Sequence, residues 1–354
     1  MSHGRGNLTI DAGYEDDRAY CRQVLPLVSR TFALNIRLLG GEMQEAVRVA
    51  YLLCRAADAV EDTWPGTASQ VRTRFATLLA TLDGEPEAAE ALATEAAAVA
   101  GNRPDMQLLT HLPKVLRVLA GLPREKAEAV RDGVRTLSQG MQRYAVRAIE
   151  RGPHVPHLDD EAELHDYCYV VAGCVGEMLT RLFAHTGGLP QDDDAQACRL
   201  ALSPVVGEAL QLTNILLDWP SDARGGRCYM PAAWLAKHGL EPATLLEPRH
   251  REATRELVLR LEGLAHAALD RVPDYLALVP PRFARYRLFC LWPALWARAS
   301  LRVIEHDPQF PFGNIRPRLS RQTLWAEVGR SLLAGHTRRG VQWLLRPTPD
   351  SLEA

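Results

Sequence analysis

The segment Tyr51-Leu-Leu-Cys-Arg55-Ala-Ala-Asp58-Ala-Val-Glu61-Asp62 decides how the rest of the chain is read. Its apolar positions recur at three- and four-residue spacing, the period of a helix with one face in a core. At that period Asp58, Glu61 and Asp62 share one face, and Arg55 lies one turn before Asp58. Like charges so placed repel by about 0.2–0.5 kcal/mol on an exposed helix. Among neighbours such as Tyr51, Leu52, Cys54 and Ala57 the cost is larger. A solvated helix end tolerates such a cluster; an apolar setting calls for a cation. Mg²⁺ with a diphosphate meets that demand, because it takes oxygen ligands, keeps several waters and uses one or two carboxylates plus phosphate.

A second polar stripe follows in Gln211-Leu-Thr213-Asn214-Ile-Leu-Leu-Asp218-Trp-Pro-Ser-Asp222. Gln211, Asn214, Asp218 and Asp222 step by three, four and four. Leu212, Ile215, Leu216 and Leu217 make the other faces apolar, which predicts that the stripe points into a bundle. A buried row of amides and carboxylates needs partners. Either a structural polar network or a metal with a diphosphate supplies them. Pro220 is expected to kink or end the helix. Arg224 and Arg227 follow on a glycine-bearing stretch, where forked guanidinium groups suit phosphate.

Helical period dominates elsewhere. Gly40-Gly41 is expected to divide residues 14–64 into two helices, the second stopped by Trp64-Pro65-Gly66. Further helices are expected near 68–82, 105–119, 124–149, 161–186, 195–218, 252–275, 281–305 and 320–345. Glu85–Ala100 reads as a helix or a flexible excursion, and Asp192-Asp193-Asp194 as a solvated helix start. Alternating strand patterns are scarce. The fold class is therefore all-α: a single domain of long antiparallel helices around a central cavity. Residues 1–17 read as a polar tail, 18–305 as the main body and 306–354 as a helical extension of it, entered through a proline-containing loop at 306–317.

The composition removes several classes. Of 354 residues 47% are apolar and 24% charged, with a net charge of −2, so no global field recruits nucleic acid. Seven cysteines without a Cys-x-x-Cys pair read as reduced thiols in a cytoplasmic protein. The first residues lack the apolar stretch of a secretory signal, and no window offers the roughly 18 uninterrupted apolar residues of a membrane span, which leaves at most peripheral membrane contact. His154, His157 and His165 lack the further ligands of a zinc site. No P-loop, metalloprotease helix, nucleophile elbow or dinucleotide fingerprint is present. Arg316, Arg318 and Arg321 read as a solvated face in preference to a cofactor phosphate contact.

Between the acid motifs, Gly173 and Gly176 lie one turn apart on an expected helix. Each glycine costs up to about 1 kcal/mol there, so they mark close approach of a second helix or of a ligand chain. Gly140-Met141 is expected to line the same cavity. Tyr167 reads by itself as a buried aromatic at a helix interface.

These residues resemble the squalene/phytoene synthase family over roughly residues 20–305. Ser29-Arg30-Thr31-Phe32 resembles the family's early diphosphate-contacting element. Arg55 with Asp58, Glu61 and Asp62 resembles its first acid motif. Tyr167-Cys-Tyr169-Val-Val-Ala172-Gly173-Cys-Val-Gly176 resembles its central Tyr-Cys block. Asn214, Asp218 and Asp222 resemble its second acid motif, and Gly226-Arg227-Cys-Tyr229-Met-Pro231 the element after it. Leu217 stands where many relatives carry arginine, Ser221 where squalene synthases often carry glutamate, and Pro220 lies inside the motif. The resemblance implies a class I isoprenoid synthase-type bundle that condenses two farnesyl diphosphates, or longer prenyl diphosphates, head to head.

It further implies Mg²⁺, with Mn²⁺ an acceptable substitute, held by Asp58, Glu61, Asp62, Asn214, Asp218 and Asp222. Diphosphate falls to Ser29, Arg30, Arg55, Gln211, Asn214 and Arg227. Tyr167 becomes a proton-handling group, with Asp58, Asp62, Asp218 and Asp222 the other catalytic residues. Phe32, Gly140, Ala172, Gly173 and Gly176 become cavity wall. The Asp-Ala-Val-Glu-Asp form leans towards squalene synthase, which would add NADPH. Phytoene, dehydrosqualene or hydroxysqualene as product, and a catalytically silent helical binding protein of the same fold, are the alternatives. Oligomeric state is left open.

Overall fold

The computed structural model describes residues 12–186, 193–313 and 316–346. They form helices and no strand. The first layer runs α1 (Ala12–Val28), α2 (Arg30–Ile36), α3 (Gly41–Asp58), a π-helical turn (Ala59–Thr63), α4 (Ala68–Leu82), α5 (Pro86–Ala97), α6 (Pro104–Thr110), α7 (Leu112–Ala120) and α8 (Arg124–Arg151). The second runs α9 (Glu161–Cys168), another π-helical turn (Tyr169–Gly173), α10 (Cys174–Ala184), α11 (Asp193–Arg224), α12 (Ala232–Lys237), α13 (Arg251–Leu269), α14 (Val272–Ala277) and α15 (Ala284–Glu305). Helices α16 (Arg321–Ala334) and α17 (Arg338–Leu344) close the described chain. The seven cysteines are all unpaired.

Several expectations shift. Three helices, not two, precede Trp64: Ser29 breaks the first run by capping α2, its Oγ accepting from the Phe32 N–H at 3.3 Å. Helix α1 begins at Ala12, so residues 12–17 belong to the bundle and not to a tail. Asp17 is buried and accepts from Arg117 of α7 at 2.6 Å. Residues 1–11 and Asp192 lie outside the described residues. Residues 85–100 are largely helix α5, started by Pro86 in its first turn, where a missing N–H costs nothing.

Helix α11 runs through both of its prolines, Pro204 and Pro220, and ends only at Arg224. At Pro204 the orphaned Leu200 carbonyl is taken by the Ser203 hydroxyl at 3.0 Å, which replaces the lost backbone bond. By length and composition alone α11 is also the one described helix long and apolar enough to cross a membrane, although polar residues interrupt its apolar run. Here it packs against α10, α13 and α15 in the middle of the molecule. Its neighbours approach it through glycines. A Cβ on Gly176 would sit 2.2 Å from the Ser203 carbonyl oxygen, and one on Gly207 2.2 Å from that of Ala172. That contact draws the wall carrying Tyr167 and Ala172 tight against the second acid motif.

Candidate active site

A cavity of about 520 Å³ opens between α2, α3, α8, the second π turn, α10, α11, α14 and α15. Its walls are apolar and aromatic: Phe32, Val47, Tyr51, Leu137, Met141, Val171, Val175, Met178, Leu179, Val206, Leu210 and Phe289 among them. At one end Tyr275 and Tyr286 share a hydrogen bond at 2.7 Å, and Thr180 bonds Tyr275 at 2.8 Å, so these hydroxyls are satisfied among themselves.

Both acid motifs reach this cavity. Asp58, Glu61 and Asp62 line it from α3 and the π turn, and Gln211, Asn214 and Asp218 from α11. The π turn is a departure from the straight helix expected at 58–62. It widens the turn below Glu61 and Asp62, and its exit is held from behind. Arg74 donates to the Trp64 carbonyl at 3.3 Å and covers the Trp64 ring, while Arg103 donates to the Thr63 carbonyl at 2.8 Å. Arg227 joins the motifs across the mouth, reaching Asp62 at 3.1 Å and Asp222 at 2.7 Å.

The electrostatics differ from group to group. Burial lifts the Asp58 carboxyl to about 6, against the pull of Arg55, which it accepts from at 2.8 Å. Arg55 also holds Asp105 of α6 at 2.9 Å. Glu61 is pushed well above the carboxylate range by burial, with Asp62 and Asp58 adding repulsion. Burial also raises Asp218, and raises Asp222 to about 6 against the attraction of Arg227. Asp218 accepts from Arg316 at 2.9 Å.

This donor set fits a hard divalent cation. The carboxylates are crowded, partly desolvated and short of positive charge, and they line an open cavity. Among the described residues no three His, Cys, Asp or Glu groups close into a metal cage. An open set suits Mg²⁺, which usually meets protein through one or two carboxylates and completes its shell with water and phosphate.

Beneath the acids lies an aromatic stack. Tyr167 is buried, stacks on Tyr229 at 5.1 Å and meets Tyr144 edge-on at 5.1 Å. Burial pushes both phenols of this stacked pair above their ordinary range, so both stay protonated. His157 packs edge-on against Tyr229 at 5.0 Å, and burial with Arg227 nearby lowers it to about 4, a neutral imidazole.

Some expected residues fall elsewhere. Arg30 is exposed on the first turn of α2 and does not line the cavity. Ser29 is the α2 cap, its Oγ accepting from the Phe32 N–H. Gly140 faces Val170, whose Cβ would lie 2.3 Å from an added methyl, and Gly173 faces Tyr169 and Pro204. Both are packing glycines, whereas Phe32, Met141, Ala172 and Gly176 do line the cavity. Asp222 is buried behind the lining, on Arg227. Arg316 is exposed, as expected, and it also lines the mouth against Asp218. Sequence reasoning missed Asp105, Tyr229 and the wall from α14 and α15. Tyr229 was legible, inside the element that follows the second motif. The others needed contacts across some 50 to 230 residues of chain.

A profile of the squalene/phytoene synthase family matches residues 25–323. The squalene synthase of Candida albicans is 28% identical over 320 residues, covering 84% of this chain and 64% of that protein. That of Mycosarcoma maydis is 30% identical over 317 residues, covering 84% of this chain and 52% of that protein. The chain thus spans roughly half to two thirds of these curated relatives. Among solved structures, the complex of TcSQS with a ligand superposes with a TM-score of 0.73 at 23% identity, covering 93% of this chain and 89% of that one. A dehydrosqualene synthase in complex with ligand gives 0.61 at 22% identity, covering 90% and 98%. These likenesses confirm the all-α fold.

Proposed function

The chain belongs to the squalene/phytoene synthase family, and on that premise we propose that it joins two farnesyl diphosphates head to head and carries the product on to squalene. The observation behind this reading is the pairing of two acid motifs, bridged by Arg227, at the mouth of one apolar cavity above a buried tyrosine pair. Hydrocarbon chains suit the walls, and diphosphates suit the mouth.

Mg²⁺, bound through Asp58, Glu61 and Asp62 on one side and Asn214, Asp218 and Asp222 on the other, would supply the charge that stabilises a departing diphosphate. Arg55, Arg227 and Arg316 hold the anionic ends by forked hydrogen bonds and fix their orientation. Loss of diphosphate from one substrate leaves an allylic cation in the cavity. The C2–C3 double bond of the second substrate attacks its C1. Ring closure to a cyclopropylcarbinyl diphosphate releases a proton. The Tyr167 hydroxyl, which lines the cavity, relays that proton to the diphosphate released in the first step, giving up its own proton as it takes the new one and so staying neutral. Leucine, valine, methionine and phenylalanine side chains exclude water, which would trap any cation as an alcohol. The mutual pairing of Tyr275, Tyr286 and Thr180 removes three further nucleophilic oxygens from competition.

NADPH would supply the hydride that quenches the last cation as squalene, and Arg316 is the mouth residue suited to one of its phosphates. The test is incubation with farnesyl diphosphate and Mg²⁺, with and without NADPH, read by gas chromatography–mass spectrometry. Squalene formed only with NADPH is the expected result. Dehydrosqualene or an alcohol despite NADPH would overturn the reductive step and leave the condensation. No conversion of farnesyl or geranylgeranyl diphosphate would overturn both.

A further inference from the structure

Helix α16 is amphipathic the wrong way round for a surface helix. Its inner side is anchored by Val328, Ser331 and Glu327 against α15, where Ser331 accepts from the Trp292 indole at 2.9 Å. On the helical wheel its outward side carries Trp325, Ala326, Gly329, Leu332 and Leu333, with Gln322 the one polar member. Trp325 and Leu332 are each 59% exposed and Leu333 80%. Trp343 of α17, 51% exposed, sits beside this stripe under the Arg330 guanidinium, 4.9 Å from its ring centre. Four of the molecule's largest exposed apolar side chains thus fall within nineteen residues of chain, positions 325–343.

The charge around them is one-sided. Residues 321–346 hold five arginines and one glutamate, in a chain whose net charge is −2. The glutamate, Glu327, is buried and paired with Arg330 at 2.8 Å. Arg338 is paired with Asp274 at 3.1 Å. Arg321 and Arg339 are exposed and meet no carboxylate among the described residues. An apolar ridge with tryptophans at its edges and unpaired arginines around it is the pattern of a surface that lies in the interface of an anionic bilayer.

We propose that α16 and α17 dock this protein on anionic membrane, with Trp325, Leu332, Leu333 and Trp343 inserted among the acyl chains and Arg321 and Arg339 on the headgroups. The position suits a hydrocarbon product. Residues 317–320 connect α16 directly to Arg316 at the cavity mouth, and Val328 shares an apolar cluster with Leu38 and with Leu34 of α2, the helix whose Phe32 and Ile36 line the cavity. The docking does not depend on which product is made, so its test is independent of the proposed activity.

Vesicle flotation of the full chain is the experiment, using phosphatidylcholine alone and phosphatidylcholine with about a third phosphatidylglycerol. The protein is expected to float with the anionic vesicles, to stay behind with the neutral ones, and to be released by 0.5 M (roughly threefold physiological) salt. Leu332→Ser/Leu333→Ser should weaken binding at least tenfold, and Arg321→Gln/Arg339→Gln about fivefold per charge. Because all four positions are exposed, the melting temperature of each variant should match that of the parent. No flotation, or flotation unchanged in the leucine variant, overturns the proposal. A dimer seen by light scattering that Leu332→Ser/Leu333→Ser abolishes, without vesicle binding, overturns it in favour of a second copy on this face.

Discussion

The two acid motifs face one cavity and solve opposite electrostatic problems. On α11 each aspartate has an arginine, Asp218 on Arg316 and Asp222 on Arg227, although burial still raises both carboxyls. On the α3 side Arg55 is divided between Asp58 and Asp105, Asp62 shares Arg227 with Asp222, and among the described residues Glu61 has no ion-pair partner, only the more distant pull of Arg227. The α11 wall is a latched site, whose arginines must share their carboxylates with an arriving cation. The α3 wall is a charge-deficient site, held open by a π turn and by packing behind it. The contrast also accounts for a departure in the sequence. Leu217 lacks the guanidinium that many relatives carry next to the first aspartate of the second motif, and Arg316 brings one to Asp218 from nearly a hundred residues away.

The largest effect tests whether both walls act together. Asp58→Asn and Asp218→Asn should each lower turnover by about 10³-fold while circular dichroism and the melting curve stay near those of the parent. If either variant kept its normal rate at limiting Mg²⁺, the wall it belongs to would not hold metal. Next in size is the aromatic stack that lies between them. Tyr167→Phe should lower product formation by about 10²-fold with little change in diphosphate affinity, since the phenol serves proton transfer and not binding. A KM effect alone would return Tyr167 to a packing role.

How much was legible follows the same divide. Helical period and acid spacing lay within single segments, so both motifs and the all-α class could be read directly, whereas Tyr167 stood out only through the family resemblance. Gly140 and Gly173 were misjudged because a glycine in a helix signals close approach without saying of what; here it is Val170 in one case and Pro204 with Tyr169 in the other. The π turn at Ala59–Thr63 was invisible because no residue type enforces it; it is held by Arg74 and Arg103 from other helices. Arg316 is exposed as expected, but its pairing with Asp218 was not legible, because a basic loop residue carries no local sign of the carboxylate it will meet.

Smaller effects show first what the two walls share and then where they differ. Asp58 and Asp222, whose ordinary value is 3.8, both titrate near 6 in the folded protein. A carboxyl raised on folding stabilises most in acid, and that contribution is lost as pH rises from about 4 through 6. The metal-free protein should therefore lose stability over that window, while turnover at fixed Mg²⁺ should fall as pH drops below about 6. Glu61→Gln removes the carboxyl whose ionised form is the least compensated. It should raise the metal-free stability at pH 7 by about 1 kcal/mol, read as a shift in the urea midpoint, while activity falls.

The smallest expected effect is on the latch. Arg316→Gln frees Asp218 for a cation but removes a diphosphate partner, and these act in opposite directions. Because the pair is a third to nearly half exposed, its strength is modest, about 0–1 kcal/mol. The variant should bind Mg²⁺ alone about two- to threefold more tightly by calorimetry and show a raised KM for the prenyl diphosphate. Tighter metal with an unchanged KM would make Arg316 a latch and nothing more. Weaker metal would mean that the guanidinium orders Asp218 for its ligand, and the two walls would then differ only in where their arginines come from.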